Sequence, residues 1–160
     1  MAPTTKPVAR KVPRPRSSAK QLGDAADALL RAAAEACRQH ERVARLIDEQ
    51  CAEDELHDAA AVCDLCALQL SARTAGYEST ATAGRGKADD AFWHAANSLW
   101  HASREYIRRY AYDVPPSARQ RRHSSDALGA LTMEYELEAS ALLALSHAIS
   151  RYRRVRPVVA

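Results

Sequence analysis

Glycine, phenylalanine and long apolar runs are all scarce in this chain of 160 residues. There are 5 glycines and 1 phenylalanine, and β-branched residues are few, so the composition argues against a sheet protein. No apolar run approaches the ~20 residues that a membrane span requires. The first 20 residues also lack the apolar stretch of a secretory signal. We therefore expect a soluble, cytoplasmic protein with no membrane partner.

Alanine, in contrast, is abundant, with 34 residues, and it is the strongest helix former. No proline occurs between Arg16 and Val114. Apolar residues recur in alternating steps of three and four, which is the period of an amphipathic helix. The segments with this period are 22–47, 56–70, 92–110 and 128–152. The sequence therefore predicts an all-α fold, namely an up-down-up-down four-helix bundle.

The chain is long enough for one domain, and its composition divides it into three parts. Residues 1–19 hold four prolines among basic and hydroxyl side chains, so this segment cannot bury apolar surface and predicts a disordered basic tail. Residues 20–154 form the predicted bundle, and 155–160 form a C-terminal extension.

Polar segments between the helical patterns predict the connections of the bundle. These segments are 48–55, 75–88 and 117–125. The first contains neither glycine nor proline, so one long helix through this region remains an alternative to two helices.

The formal net charge of +3 conceals a strong asymmetry. Residues 1–20 carry +6, residues 21–75 carry −6 and residues 76–160 carry +3. In the predicted topology, the start of the first helix, the 75–88 connection and the end of the fourth helix share one end of the bundle. We call this end the basic pole, and its cations are Lys6, Arg10, Lys11, Arg14, Arg16, Lys20, Arg85, Lys87, Arg151, Arg153, Arg154 and Arg156.

We expect few acids near the basic pole. Its arginines would suit the phosphates of a nucleic acid, and an acidic protein surface is the other candidate partner. The alternative is a solvated tail, together with cations that only stabilise the C-terminal end of the last helix.

The four cysteines are candidate metal ligands. Cys63 and Cys66 lie three residues apart, on one face of a predicted helix, and Cys37 and Cys51 lie on the neighbouring helix. Such thiols could hold a soft metal, Cu or Zn, which would be the only cofactor that the sequence suggests. The alternative is that these cysteines are small buried hydrophobes in an alanine-rich core and that no cofactor is bound.

Residues 49–76, EQCAEDELHDAAAVCDLCALQLSARTAG, resemble part of the cysteine-rich four-helix bundles that store copper in bacteria. The resemblance implies copper binding by the cysteines. Those bundles line their interior with many cysteines, whereas this chain has four, none of them after residue 66.

An aromatic stripe widens the apolar face of the third helix. Trp93, Trp100 and Ile107 recur every seven residues beside the main seam. Either this helix lies deepest in the bundle, or one edge of the stripe faces a partner or a second copy of the chain, as in a homo-oligomer or a structural assembly subunit.

No pattern in the sequence indicates a nucleophile with its base or a nucleotide-binding loop. Two polar residues, His40 and Glu138, fall in otherwise apolar seams, and we interpret them as a buried hydrogen-bonded pair or a slight misphasing of the helix. The sequence therefore favours a non-enzymatic interaction protein.

Overall fold

The computed structural model describes residues 19–84, 89–110 and 127–156. Its helices are α1 (Ala19–Asp48), α2 (Glu53–Gly84), α3 (Asp90–Arg108) and α4 (Ala127–Val155). No strand occurs in these three ranges, which confirms the all-α prediction. The predicted tail lies outside the described residues, apart from Ala19.

Helices that follow one another in the chain also pack against one another, and α4 contacts α1, as in a four-helix bundle. Tyr77 of α2 donates a hydrogen bond of 3.1 Å to Asn97 of α3. Asp64, earlier in α2, accepts a hydrogen bond from Tyr110, later in the chain, so α2 and α3 run antiparallel. Two sides of the bundle matter below: the α1–α4 side and, opposite to it, the α2–α3 side.

The main core takes one leucine without exposed surface from each helix, and alanines fill much of the space between them. These leucines are Leu29, Leu70, Leu99 and Leu145. Alanine lets helix axes approach closely, because its side chain adds only a methyl group. A second, smaller apolar cluster lies where α1 and α2 meet, and its buried members are Val43, Leu56, Ala59, Ala60 and Cys63.

α1 ends in a turn that no glycine marks. Gln50 adopts a left-handed backbone with φ of 50°. The N–H of Cys51 donates to the carbonyl of Leu46, and the N–H of Gln50 donates to the carbonyl of Ile47, each at 3.2 Å. This pair of bonds is the Schellman motif, in which glycine usually takes the left-handed position. Two separate helices are thus confirmed, and the single long helix is excluded.

The predicted loop over 75–88 is wrong for its first ten residues, because α2 continues to Gly84. Threonine hydroxyls along this stretch donate to the carbonyls four residues earlier, as Thr80 does to Gly76 and Thr82 to Glu78. Tyr77 and Ala81 meanwhile enter the main core. The polar side chains are therefore satisfied within the helix, and core packing offsets the low helix propensity of glycine.

Replacing Gly76 by alanine is expected to raise the free energy of unfolding by about 0.5–1 kcal/mol. Gly76 is exposed inside α2, and a Cβ there would meet no atom within 4 Å. Urea unfolding followed by circular dichroism measures the change. Gly23→Ala is the matched comparison and should gain less stability, because its Cβ would displace the guanidinium of Arg156 from its contact with Asp27. A destabilised Gly76→Ala variant would contradict the helical assignment of this stretch.

His40 forms a hydrogen bond across the bundle to a tyrosine of α3. Its Nε2 lies 2.9 Å from the hydroxyl of Tyr106 on α3, and both residues are buried. The predicted pairing with Glu138 lies outside the described side chains. An apolar seam can thus accommodate a histidine when a tyrosine on a facing helix satisfies its ring nitrogen.

Candidate functional site

Positive charge in the structure is concentrated on one face of a helix rather than in one segment of the sequence. The outward face of α1 carries an arginine at nearly every turn, and the end of α4 adds one more across a groove. We call this surface the arginine face: Arg31, Arg38, Arg42, Arg45 and Arg153, all of them exposed. Of the eleven acids in residues 21–75, five lie on α1 itself, and three, Glu53, Asp54 and Glu55, occupy the first turn of α2.

A groove of about 460 Å³ runs between α1 and α4 within the arginine face. Arg31 of α1 and Arg153 of α4 line it from opposite walls, and Ser146 and Ser150 add hydroxyl groups. Arginine presents several N–H donors in a planar fork that matches phosphate oxygens. The groove therefore combines three arginines, one glutamate and two serine hydroxyls around one concave surface.

Acidic residues near the groove offset only part of its charge. Glu35 bonds to Arg38 and to Gln39, so the Arg38 charge is already paired. Glu41 lines the groove at its end nearest the C-terminus of α1. Arg31 and Arg153 are consequently the two groove arginines on which anion binding would depend.

Cys37 lies half-buried in the same groove. Burial and the carboxylate of Glu41 raise the pKa of the Cys37 thiol to about 11, against a smaller lowering by Arg153. A thiol with this pKa stays protonated at neutral pH and is a poor nucleophile. Cys37 therefore contributes a neutral thiol to the groove and is not a site of thiol chemistry.

The basic pole is assembled only in part by the described residues. Lys20, Arg151, Arg153 and Arg154 are exposed near this end. Arg156 is instead occupied, because its guanidinium bonds to Asp27 at 3.0 Å and lies over the ring of Phe92. The remaining predicted cations lie outside the described residues: Lys6, Arg10, Lys11, Arg14, Arg16, Arg85 and Lys87.

The expectation of few acids at this pole is wrong for the described part. Asp24 and Asp27 of α1 lie there, and so do Asp89 and Asp90 at the start of α3, where Asp89 caps the helix by accepting from the N–H of Ala91. For Asp89 and Asp90 the cause is local, since carboxylates favour the N-terminal ends of helices. The arginine face is therefore a better candidate than the pole alone.

The four cysteines occupy separate places in the fold. Cys63 belongs to the small cluster between α1 and α2, and Cys66 belongs to the main core, although both lie on α2. Cys37 lines the α1–α4 groove, and Cys51 lies in the turn after α1, with its sulfur 3.8 Å from a carboxylate oxygen of Glu49. Nowhere in the described ranges do three His, Cys, Asp or Glu residues come together as a metal site, so the thiols gain no third ligand there.

The aromatic stripe lies on the opposite side of the bundle, in grooves between α2 and α3. Trp93 and Trp100 line one groove with Tyr77, and Ile107 lines a second groove farther along the same side. All three stripe residues are half-buried against the main core. Arg108 and Arg109 bond to Glu105 there and hold the pKa of its carboxyl down to about 2.

None of the described helices is both long and apolar enough to span a bilayer. Comparisons with protein-family models, with curated proteins and with solved structures find no match to this chain.

Proposed function

We propose that this protein is a non-enzymatic interaction module that binds a phosphate-bearing polymer, a nucleic acid, along its arginine face. The observation that carries the proposal is the placement of Arg31 and Arg153 on opposite walls of the α1–α4 groove. Two guanidinium groups from different helices can clamp a phosphate between them, and the rest of the arginine face can follow the neighbouring phosphates.

The chemistry of the groove favours contact with the backbone of a nucleic acid over reading of its bases. Arginines and serines donate hydrogen bonds to phosphate oxygens, which are the same in every sequence. Aromatic side chains, on which unpaired bases would stack, are not among the residues that line this groove. The binding should therefore depend strongly on salt and little on sequence.

The cations of residues 1–18 would extend this surface. They precede α1 directly, and Lys20 is exposed in its first turn. A basic segment next to a basic face can add phosphate contacts. An acidic protein surface is the alternative partner. Its binding would not show the fixed slope of log K against log salt per phosphate contact that a nucleic acid gives.

Replacing Arg31 and Arg153 together by alanine is expected to weaken binding to a fluorescein-labelled single-stranded or duplex DNA. Because the variant would neutralise two fewer phosphates, the slope of log K against log salt should fall by about 1.4–1.8, and affinity should drop about tenfold at ~50 mM salt. Fluorescence anisotropy with protein below micromolar concentration measures both quantities.

The matched control removes the same charge from the other side of the bundle. Arg73 of α2 and Arg104 of α3 are exposed and lie outside the α1–α4 groove, so Arg73→Ala/Arg104→Ala should bind nearly as the native protein does. Equal losses of affinity in the two double variants would show that the groove is not the binding site and that affinity depends only on the net charge of the protein. If the native protein binds neither DNA nor RNA at low salt, the proposed function is wrong.

A further inference from the structure

The outward face of α2 carries apolar residues that the bundle does not use. Leu65 and Leu68 are 61% and 68% exposed, which makes them the most exposed large apolar side chains of the described part. Ala61 and Ala72, one turn before and after them, are exposed as well. We call these four residues the α2 seam.

The bundle core takes the other face of the same helix. Leu56, Cys63, Leu70 and Tyr77 are buried, and at 100° per residue they lie on the side of the helix opposite the seam residues. α2 is thus apolar on two opposite faces, one inside the bundle and one in contact with solvent. The exposed leucines are not required for the packing of α1, α3 or α4.

The spacing of the α2 seam is that of a coiled coil. Its steps are four, three and four residues, so the four side chains line up over about 17 Å of helix. The order Ala, Leu, Leu, Ala also reads the same in both directions. An antiparallel copy would therefore set Leu65 against Leu68 of the other chain and Ala61 against Ala72, with small residues at both ends that allow close approach.

Charges beside the seam favour the antiparallel orientation. Exposed Asp58 lies one turn before the seam, and exposed Arg73 lies just after its last residue. In an antiparallel pair, Arg73 of each copy lies level with residue 60 of the other, close to Asp58. A parallel pair would instead place Asp58 against Asp58 and the acidic first turn of α2 against itself, which is repulsive.

We propose that a second copy of this chain docks antiparallel on the α2 seam, so that the protein forms a two-fold symmetric dimer. The proposal commits to this occupant because the seam is self-complementary in both shape and charge. It does not rest on the proposed nucleic-acid binding, since the arginine face lies on α1 and α4. A single helical seam buries less than about 1,200 Å² in total, so the dimer should exchange with the monomer.

Sedimentation equilibrium of the full-length protein tests this proposal. Between about 5 and about 500 µM, the average mass should rise from that of one chain toward that of two. Leu65→Lys/Leu68→Lys should weaken association at least about tenfold, because it brings like charges together at the centre of the seam. Its thermal unfolding, measured at low concentration, should stay close to that of the native chain, since both leucines are exposed.

Leu143→Lys is the matched control, because Leu143 is a leucine of α4 that is 59% exposed and lies outside the seam. This variant should associate as the native chain does. A native protein with the mass of one chain at every concentration would overturn the proposal, and so would an equal loss of association in Leu143→Lys.

Orientation has its own test. Arg73→Asp should weaken association about threefold to tenfold by placing a second acid beside Asp58 of the other copy. Asp58→Arg/Arg73→Asp exchanges the two charges and should restore association to near the native value. If the exchanged variant stays as weak as the single one, the antiparallel register is wrong.

Discussion

Replacing Leu99 by alanine is expected to lower the free energy of unfolding by about 3 kcal/mol. Leu99 has no exposed surface and lies in the main core. Ala95 and Ala96, one helical turn before Leu99, are also fully buried, and a methyl group cannot rotate to fill a new cavity. For a chain of this length, the loss corresponds to a fall of about 6–12 °C in Tm. Calorimetry or thermal circular dichroism measures it.

Leu68→Ala is the control for this substitution, because it removes the same atoms from an exposed position. At a concentration where the protein is monomeric, its free energy of unfolding should change by less than about 0.5 kcal/mol. Comparable losses of stability in the two variants would show that α3 does not lie in the core as described.

Replacing Asp27 by alanine is the second change with a large expected effect, a loss of about 2–3 kcal/mol in the free energy of unfolding. Asp27 accepts hydrogen bonds from the hydroxyl of Tyr152 at 2.7 Å and from Arg156 at 3.0 Å. Tyr152 has no exposed surface, and burial together with Asp27 raises the pKa of its phenol well above the ordinary value. The buried hydroxyl therefore remains a donor, and it would lose its acceptor.

A double-mutant cycle separates this hydrogen bond from general effects of the substitutions. Tyr152→Phe removes the hydroxyl and leaves Asp27 bonded to Arg156, so it should cost less than Asp27→Ala. The combined variant should be more stable than the sum of the two losses predicts. Without the Tyr152 hydroxyl, the loss of Asp27 no longer leaves that buried donor without an acceptor. Asp24→Ala, one turn earlier and exposed, should be nearly neutral in urea unfolding. Strict additivity of the two single losses would argue against the hydrogen bond.

The sequence predicted the helices well where apolar periodicity alone determines them. In the third helix, the seam residues Ala96, Leu99, Ser103 and Tyr106 are all buried. Asp89 caps α3 directly after the predicted 75–88 connection. An amphipathic helix buries its apolar stripe whatever its neighbours are, so this information is local.

Turns and helix ends were harder to predict from the sequence, because the residues at these positions are not the types that usually mark them. Gln50 takes the left-handed position that glycine normally fills, so no residue type marked the end of α1. The stretch after Thr74 looked like a loop because it is polar and contains glycine. Its hydroxyls bond to the helix itself, and Tyr77 secures it to the core through a long-range contact that the sequence does not display.

The candidate site was predicted only in part. Counting charge by segment assigned residues 21–75 to an acidic region, although Arg31, Arg38 and Arg45 recur at seven-residue spacing and could have been placed on one helix face. The groove between α1 and α4 could not be predicted from the sequence. Arg31 and Arg153 are far apart in the chain, and only the packing of α4 against α1 brings them to the same surface.

The position of the aromatic stripe determines what the tryptophan fluorescence of the protein reports. Trp93 and Trp100 are the only tryptophans of the chain, and both line the groove between α2 and α3. Trp100 also touches the ring of His101, with 4.6 Å between ring centroids, and lies beneath the guanidinium of Arg104. All intrinsic tryptophan fluorescence therefore originates at one helix interface, remote from the arginine face. A change in emission reports rearrangement of α2 against α3 and does not respond directly to a ligand held between α1 and α4.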